Sequence, residues 1–362
     1  MKGHILEGGQ MRRLAILTVK DEGAYLLEWL AFHRSVGFTD VLAFSNDCSD
    51  GTDAMLDRLQ AMGLLTHVPQ AGPFPKGPQW AALNAAEGHP LMAEADWVMP
   101  IDIDEFVTIH LDDGSLDALL AAFPQATAFA MTWRLFGNGG VIGFEDAPVT
   151  AQFTRAAPPG MAWPWRASMI KTLFRNDKSY ARLGVHRPRQ PDPERLAAQV
   201  WIGGTGAPLP ARYARIGLYT PPSSQQYRTH QLNHYALGAM ESYIVKCGRG
   251  RANRDASTFD MSYWVERNFD TVEDRSIAPA AARAAPLLAE LRADRVLGPL
   301  HAAAVRWRSA RFAALMRDEP FRALFGRLLL TPPTRPMSPE RLAIFLHHAR
   351  RAAETVAQPA RD

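Results

Sequence analysis

Three apolar runs near the start of the chain each stop abruptly in a cluster of polar residues. Leu14-Ala15-Ile16-Leu17-Thr18-Val19 stops at Lys20-Asp21-Glu22, and Val41-Leu42-Ala43-Phe44 stops at Ser45-Asn46-Asp47-Cys48-Ser49-Asp50-Gly51-Thr52. Trp97-Val98-Met99-Pro100-Ile101 stops at Asp102-Ile103-Asp104-Glu105-Phe106. Between the first two lies an amphipathic helical pattern, about 24–36. After the second, Met55, Leu56, Leu59 and Met62 recur at helical spacing, with Gly63 as a C-terminal cap. Strands alternating with helices imply parallel βαβ units, so the expected fold class is α/β. In such sheets all three polar clusters fall on one edge, at the carboxyl ends of the strands, where ligands bind.

The third cluster carries the most chemistry. In extended backbone, alternate side chains share a face, which would put Asp102 and Asp104 together with Ile103 turned away. Two hard carboxylates on one face suit Mg²⁺ or Mn²⁺, which usually takes further oxygens from a substrate phosphate. Taken alone, such a pair is more often a capped strand end with solvated carboxylates.

At 362 residues the chain exceeds a typical single domain. Its two cysteines, Cys48 and Cys247, give no disulfide framework and fit a reducing compartment. No apolar stretch approaches the length of a membrane span, and the first apolar run is too short for a signal-peptide core. A cytoplasmic protein is expected, with peripheral attachment at the inner membrane face left open. Residues 279–362 hold 14 arginines, no lysine and 7 acidic residues, in Ala-rich helical patterns. This basic tail reads either as a solvated helical face packed on the core or as a contact for a membrane or protein partner. Its aromatic residues stand singly, so no nucleic-acid partner is expected. Proline and glycine between 187 and 226 mark a long insertion, and Trp163-Pro164-Trp165 an aromatic loop.

As an ordered set these motifs resemble the GT-A glycosyltransferases, in the family 2-like group related to glycosyltransferase family 92. The set comprises Lys20-Asp21-Glu22, Glu28-Trp29-Leu30 with His33, Asn46 to Thr52, and Asp102 to Phe106. Trp133 to Gly140, Lys171 near Phe174-Arg175, His186, His234-Tyr235, and Lys246 with Gly248, Arg249 and Gly250 complete it. Asp21 and Cys48 stand where the pattern more often has asparagine and serine. The resemblance implies a Rossmann-like, mostly parallel sheet flanked by helices, followed by an all-α extension. The expected GT-A domain is 12–275, with a nucleotide-sugar half at 12–110 and an acceptor half at 111–275, and the extension is 279–362.

The activity implied is metal-dependent, hexosyltransferase-like transfer of a sugar from a UDP- or GDP-linked donor to a glycan or other hydroxyl, as in polysaccharide biosynthesis. Inversion is expected. An inactive sugar-nucleotide-binding module and a nucleotidyltransferase are the alternatives. Intact Asp102 and Asp104 weigh against the first, and the lack of a glycine-rich phosphate loop after the first strand against the second. Transfer needs a metal or cationic clamp on the leaving diphosphate and a base for the acceptor hydroxyl. Asp102 and Asp104 are the expected ligands of Mn²⁺ or Mg²⁺, with His234 third by analogy with late histidines of the family. Lys20, Asp21, Glu22, Asn46, Asp47, Asp50 and Gly51 are expected around the nucleotide, and Lys171, Arg175, Lys246 and Arg249 against phosphate. His186, Glu145 and Asp146 compete as the base.

Overall fold

The computed structural model describes residues 11–249 and 260–357. Gly250 and positions 358–362 of the expected extension lie outside them. The chain begins β1 (Arg13–Val19), α1 (Gly23–Val36), β2 (Asp40–Asn46), α2 (Thr52–Ala61), β3 (Thr66–Gln70), α3 (Pro78–Glu87), α4 (Pro90–Glu94), β4 (Trp97–Pro100). It continues β5 (Glu105–Ile109), α5 (Leu116–Ala122), β6 (Ala128–Leu135), α6 (Val149–Gln152), β7 (Arg155–Ala156) and β8 (Ile170–Arg175). The short β9 (Tyr180–Arg182) precedes the insertion, which holds only β10 (Arg189–Pro191) and β11 (Trp201–Gly203) among 3-10 turns, and β12 (His230–His234) closes the sheet. Helices α7 (Met240–Gly248) and α8 (Met261–Val265) follow, then β13 (Val272–Glu273). The last four helices are α9 (Ala278–Ala293), α10 (Leu297–Leu315), α11 (Glu319–Leu330) and α12 (Pro339–Ala357).

The main sheet runs β3-β2-β1-β4-β8-β6-β12-β5, with β11 joining β6. Its first four strands are parallel; β8 then runs antiparallel between β4 and β6, and β12 pairs parallel to β6 and antiparallel to β5. Strand alternation divides the core between the two faces. Ala15, Leu17 and Val19 of β1 pack with Leu26, Trp29 and Leu30 of α1, while Leu14 and Ile16 pack with Ala82, Leu83 and Ala86 of α3. Both faces are covered, which is why β1 and β4 read as unbroken apolar runs.

The C-terminal helices are part of this body. Ala280, Ala284, Leu291, Leu297 and Ala304 from α9 and α10 belong to the same buried cluster as α1. Helices α7, α8, α10 and α11 form a third cluster around Tyr243, Trp264, Leu315 and Leu328. Ala-rich faces permit that close approach: a Cβ on Gly23 would lie 2.8 Å from the Ala304 Cβ. No helix among the described residues is long and apolar enough to cross a membrane.

Candidate active site

The carboxyl ends of β1, β2 and β4 open into a cavity of about 520 Å³. Lys20, Glu22 and Asn46 line one side, Asp102 and Asp104 the floor, and Trp133, His186 and His234 a further stretch of wall. Lys246 and Arg249 reach in from α7, and Tyr263 and Arg267 from α8 and the turn after it.

The Asp102–Asp104 segment departs from the extended backbone expected of it. Strand β4 ends at Pro100, and residues 102–105 turn, with the Glu105 N–H donating to the Asp102 carbonyl at 3.1 Å. The two carboxylates therefore have different surroundings. Asp102 accepts from Gln79 Nε2 at 2.8 Å and pairs with Lys171 Nζ at 2.8 Å. Asp104 pairs with Lys246 Nζ at 2.7 Å, and His234 Nε2 lies 3.7 Å from the same oxygen. Antiparallel pairing of β12 with β5 makes that contact, because it sets His234 opposite Glu105, next to Asp104. Burial opposes the Asp104 charge, but Lys246 and then His234 outweigh it and hold the carboxyl well below its usual range. Burial also lowers His234, so its imidazole stays neutral and ligand-competent.

Beneath the floor lies a residue that the motifs did not single out. Glu105 is fully buried; it accepts from the Asp102 N–H at 2.9 Å and from Trp133 Nε1 at 2.7 Å, and pairs with Lys171 at 3.1 Å. Lys171 is fully buried too, and Asp102 and Glu105 overcome its burial and keep it cationic. A buried ammonium between two carboxylates fixes the turn; it faces no ligand. The only sequence hint of Glu105 was its place in the acidic run. Tyr263, Arg267, Arg166, Gln79 and Trp80 were missed outright, because each comes from a loop or short helix that carries no strand-end signal.

Several expected site residues serve the scaffold instead. Asp21 Oδ1 accepts from the Ser49 N–H and hydroxyl, and Asp50 accepts from Gly23 N, Thr52 N and the Thr52 hydroxyl. These bonds clamp the first two polar loops together, with Asp21, Asp47 and Gly51 at positive φ. Of the nucleotide-side set, Lys20, Glu22 and Asn46 line the cavity; Asp21, Asp47, Asp50 and Gly51 do not. Asn46 Oδ1 is buried with no partner among the described residues, as a waiting acceptor would be. Arg175 sits at the opposite end of the sheet, paired with Trp97 at the start of β4, which rules it out as a phosphate clamp here. Asp146 is bound to Arg292 at 2.8 Å and His301 at 3.0 Å, and neither it nor Glu145 lines the cavity. Glu28 caps the Val149 turn through both oxygens, and Trp29 Nε1 holds the Asp102 carbonyl at 3.0 Å, so that motif is internal bracing.

His186 does reach the site. Its Nδ1 lies 3.1 Å from the Ile170 carbonyl, so that nitrogen carries the proton and Nε2 is left as the acceptor. Burial, reinforced by Lys171, lowers it to about 4. Trp133 packs against both His186 and His234, with ring centroids 5.6 and 4.2 Å away.

A hard divalent cation fits part of this arrangement. The Asp104 carboxylate and the neutral His234 imidazole converge on one point, while Asp102 is committed to Lys171 and Gln79. No group of three or more His, Cys, Asp or Glu is gathered for a metal among the described residues. A cation held by Asp104 and His234 would thus draw its other oxygens from the substrate, as Mg²⁺ commonly does.

The model of glycosyltransferase family 92 matches residues 15–202, just over half of the chain. The chain belongs to glycosyltransferase family 92. Its sheet, parallel in the first half and mixed in the second, is the GT-A arrangement that the motifs implied. No curated protein matches it. Among solved structures it is distantly similar to S. aureus TarS 1–349 in complex with UDP, at 15% identity over 46% of this chain and 47% of that one, with a TM-score of 0.30. For the longer S. aureus TarS the identity is 12%, over 85% and 55%, with a TM-score of 0.30. For a putative glucose-1-phosphate thymidylyltransferase from Bacillus anthracis it is 10%, over 46% and 72%, with a TM-score of 0.27. The chain spans about half the length of the TarS chains.

Proposed function

We propose that this family 92 enzyme transfers a sugar, with inversion, from a nucleoside-diphosphate donor to a hydroxyl acceptor in the cavity at the strand ends. The observation that carries the reading is the convergence of Asp104, His234 and Lys246 on the cavity floor, between the Lys20–Asn46 side and His186. Lys20, Glu22 and Asn46 suit the nucleoside, which needs both donors and acceptors. Lys246 and Arg249 face the diphosphate, whose charge grows as the sugar leaves. Arg249 also donates to the Lys20 carbonyl and pairs with Glu22, so the phosphate end and the nucleoside end of the site are braced together. Asp104 and His234 would hold Mn²⁺ or Mg²⁺, which when bound supplies Lewis-acid stabilisation of the leaving diphosphate.

For the acceptor, His186 presents an unprotonated Nε2 at neutral pH and takes the hydroxyl proton. Trp133 and Trp80 both line the cavity wall and give it a partly apolar, aromatic surface for sugar.

A panel of nucleotide-sugars with Mn²⁺, reading donor hydrolysis and transfer separately, tests this. Asp104→Asn should lose both by about a hundredfold or more, the scale of one lost electrostatic contact to the transition state. His186→Ala should lose transfer and still bind donor. Full activity of Asp104→Asn, or undiminished turnover in excess EDTA, would remove the cation from the mechanism.

A further inference from the structure

Four of the exposed large apolar side chains belong to one stretch near the C-terminus. Leu329 and Leu330 end α11, Met337 lies in the next loop and Ile344 on α12, with Leu330 85% and Ile344 61% exposed. Helix α12 is two-faced. Leu342, Phe345, Leu346 and Ala349, at helical spacing, are half-buried, while Arg341, Ile344, Arg350 and Arg351 are exposed. Residues 322–351 contain six arginines and one acidic residue, Glu340, and one of the six, Arg322, is paired with Glu319 at 2.7 Å.

This face adjoins the cavity. Phe345 packs on Trp163 and Trp165, with centroids 4.4 and 5.6 Å away, and Trp165 is itself exposed beside the cavity-lining Arg166. The loop before α12 is tied to the Tyr263–Arg267 wall, since Thr334 N donates to the Asn268 carbonyl at 2.8 Å.

A single exposed leucine is ordinary. Apolar side chains set in a field of arginine almost free of acid are complementary to one kind of surface. An acidic protein groove would use the cations and leave Leu330 and Ile344 in water. Nucleic acid would require interleaved stacking platforms, which are absent from the described part of this stretch. A bilayer interface takes both, with apolar tips at the acyl boundary and guanidinium groups among headgroup phosphates.

We propose that the 322–351 face docks on an anionic lipid bilayer and holds the cavity mouth at headgroup level. The full chain should co-sediment with vesicles of phosphatidylglycerol and phosphatidylcholine, but not with phosphatidylcholine alone, and less well as salt rises. Leu330→Ser/Ile344→Ser and Arg341→Gln/Arg350→Gln should each lower the partition coefficient by about tenfold or more, given roughly a tenfold-scale contribution per pair of such contacts. Both variants should keep the parent's melting temperature and donor hydrolysis, which separates lost docking from lost folding. Failure to bind anionic vesicles, or binding unchanged in both variants, would overturn the proposal. So would a concentration-dependent dimer that the Leu330/Ile344 variant dissolves, since a second copy would then be the occupant.

Discussion

Asp104 and Lys171 show how far charge alone can mislead about roles. Both were expected at the donor, and only Asp104 lines the cavity; Lys171 is buried beneath it, paired with Asp102 and Glu105. Removing one partner of a buried ion pair leaves the others uncompensated, so Lys171→Met should cost about 3–5 kcal/mol, read as a lower melting temperature. A wild-type melting temperature would mean that Asp102 and Glu105 need no internal cation. Buried histidine gives a second prediction at this scale. Burial lowers His33 to about 3 and His230 to about 4. The unfolded chain therefore takes up these protons first as pH falls below about 6.5, and the native state loses stability as pH descends from there. His33→Gln should flatten the fall between pH 7 and 5 by about 2 kcal/mol, measured by denaturant titration at each pH. The acidic run at 102–106 was legible as chemistry, but not which carboxylate faces solvent. That depends on the turn at Asp102 and on residues from β6 and β8, far away in sequence.

At the scale of elements, the early βαβ units were readable because apolar runs and helical spacing are local signals. The first half of the sheet matches them closely, from β1 through β4. Strand β12 was not readable, since His230-Gln231-Leu232-Asn233-His234 is polar by composition and is a strand only through its neighbours β5 and β6. Its register nonetheless decides where His234 lies. The arginine-rich tail was legible as helix, but its attachment was hidden in alanines whose significance is smallness. Arg308 on α10 stacks over Tyr25 at 4.5 Å and lies 3.8 Å from Glu22, so the extension braces the first polar loop. Gly23→Ala should wedge α10 away from that loop, costing about 1–3 kcal/mol and weakening donor binding together. If donor affinity and melting temperature both stay unchanged, α10 has no hold on the site.

Over the whole molecule, one edge of one sheet gathers what lies scattered along the chain. Lys20, Glu22 and Asn46 come from the first two strand ends, Asp102 and Asp104 from the third, His186 and His234 from much later, and Lys246, Arg249, Tyr263 and Arg267 from the helices after β12 and the turn beyond them. Helices α9 and α10 pack behind that edge, and the described C-terminal face carries the apolar and basic surface beside its mouth. Fold class was open to a reader of the sequence because it rests on periodicity; the assembly of the cavity was not, because it rests on long-range pairing and on loops. A crystal structure with a nucleoside-diphosphate sugar and Mn²⁺ tests the central claim most directly. The nucleoside should lie against Lys20 and Asn46, with the diphosphate at Asp104, His234 and Lys246 and the sugar toward His186. A nucleotide bound away from Asn46 and Asp104 would contradict it.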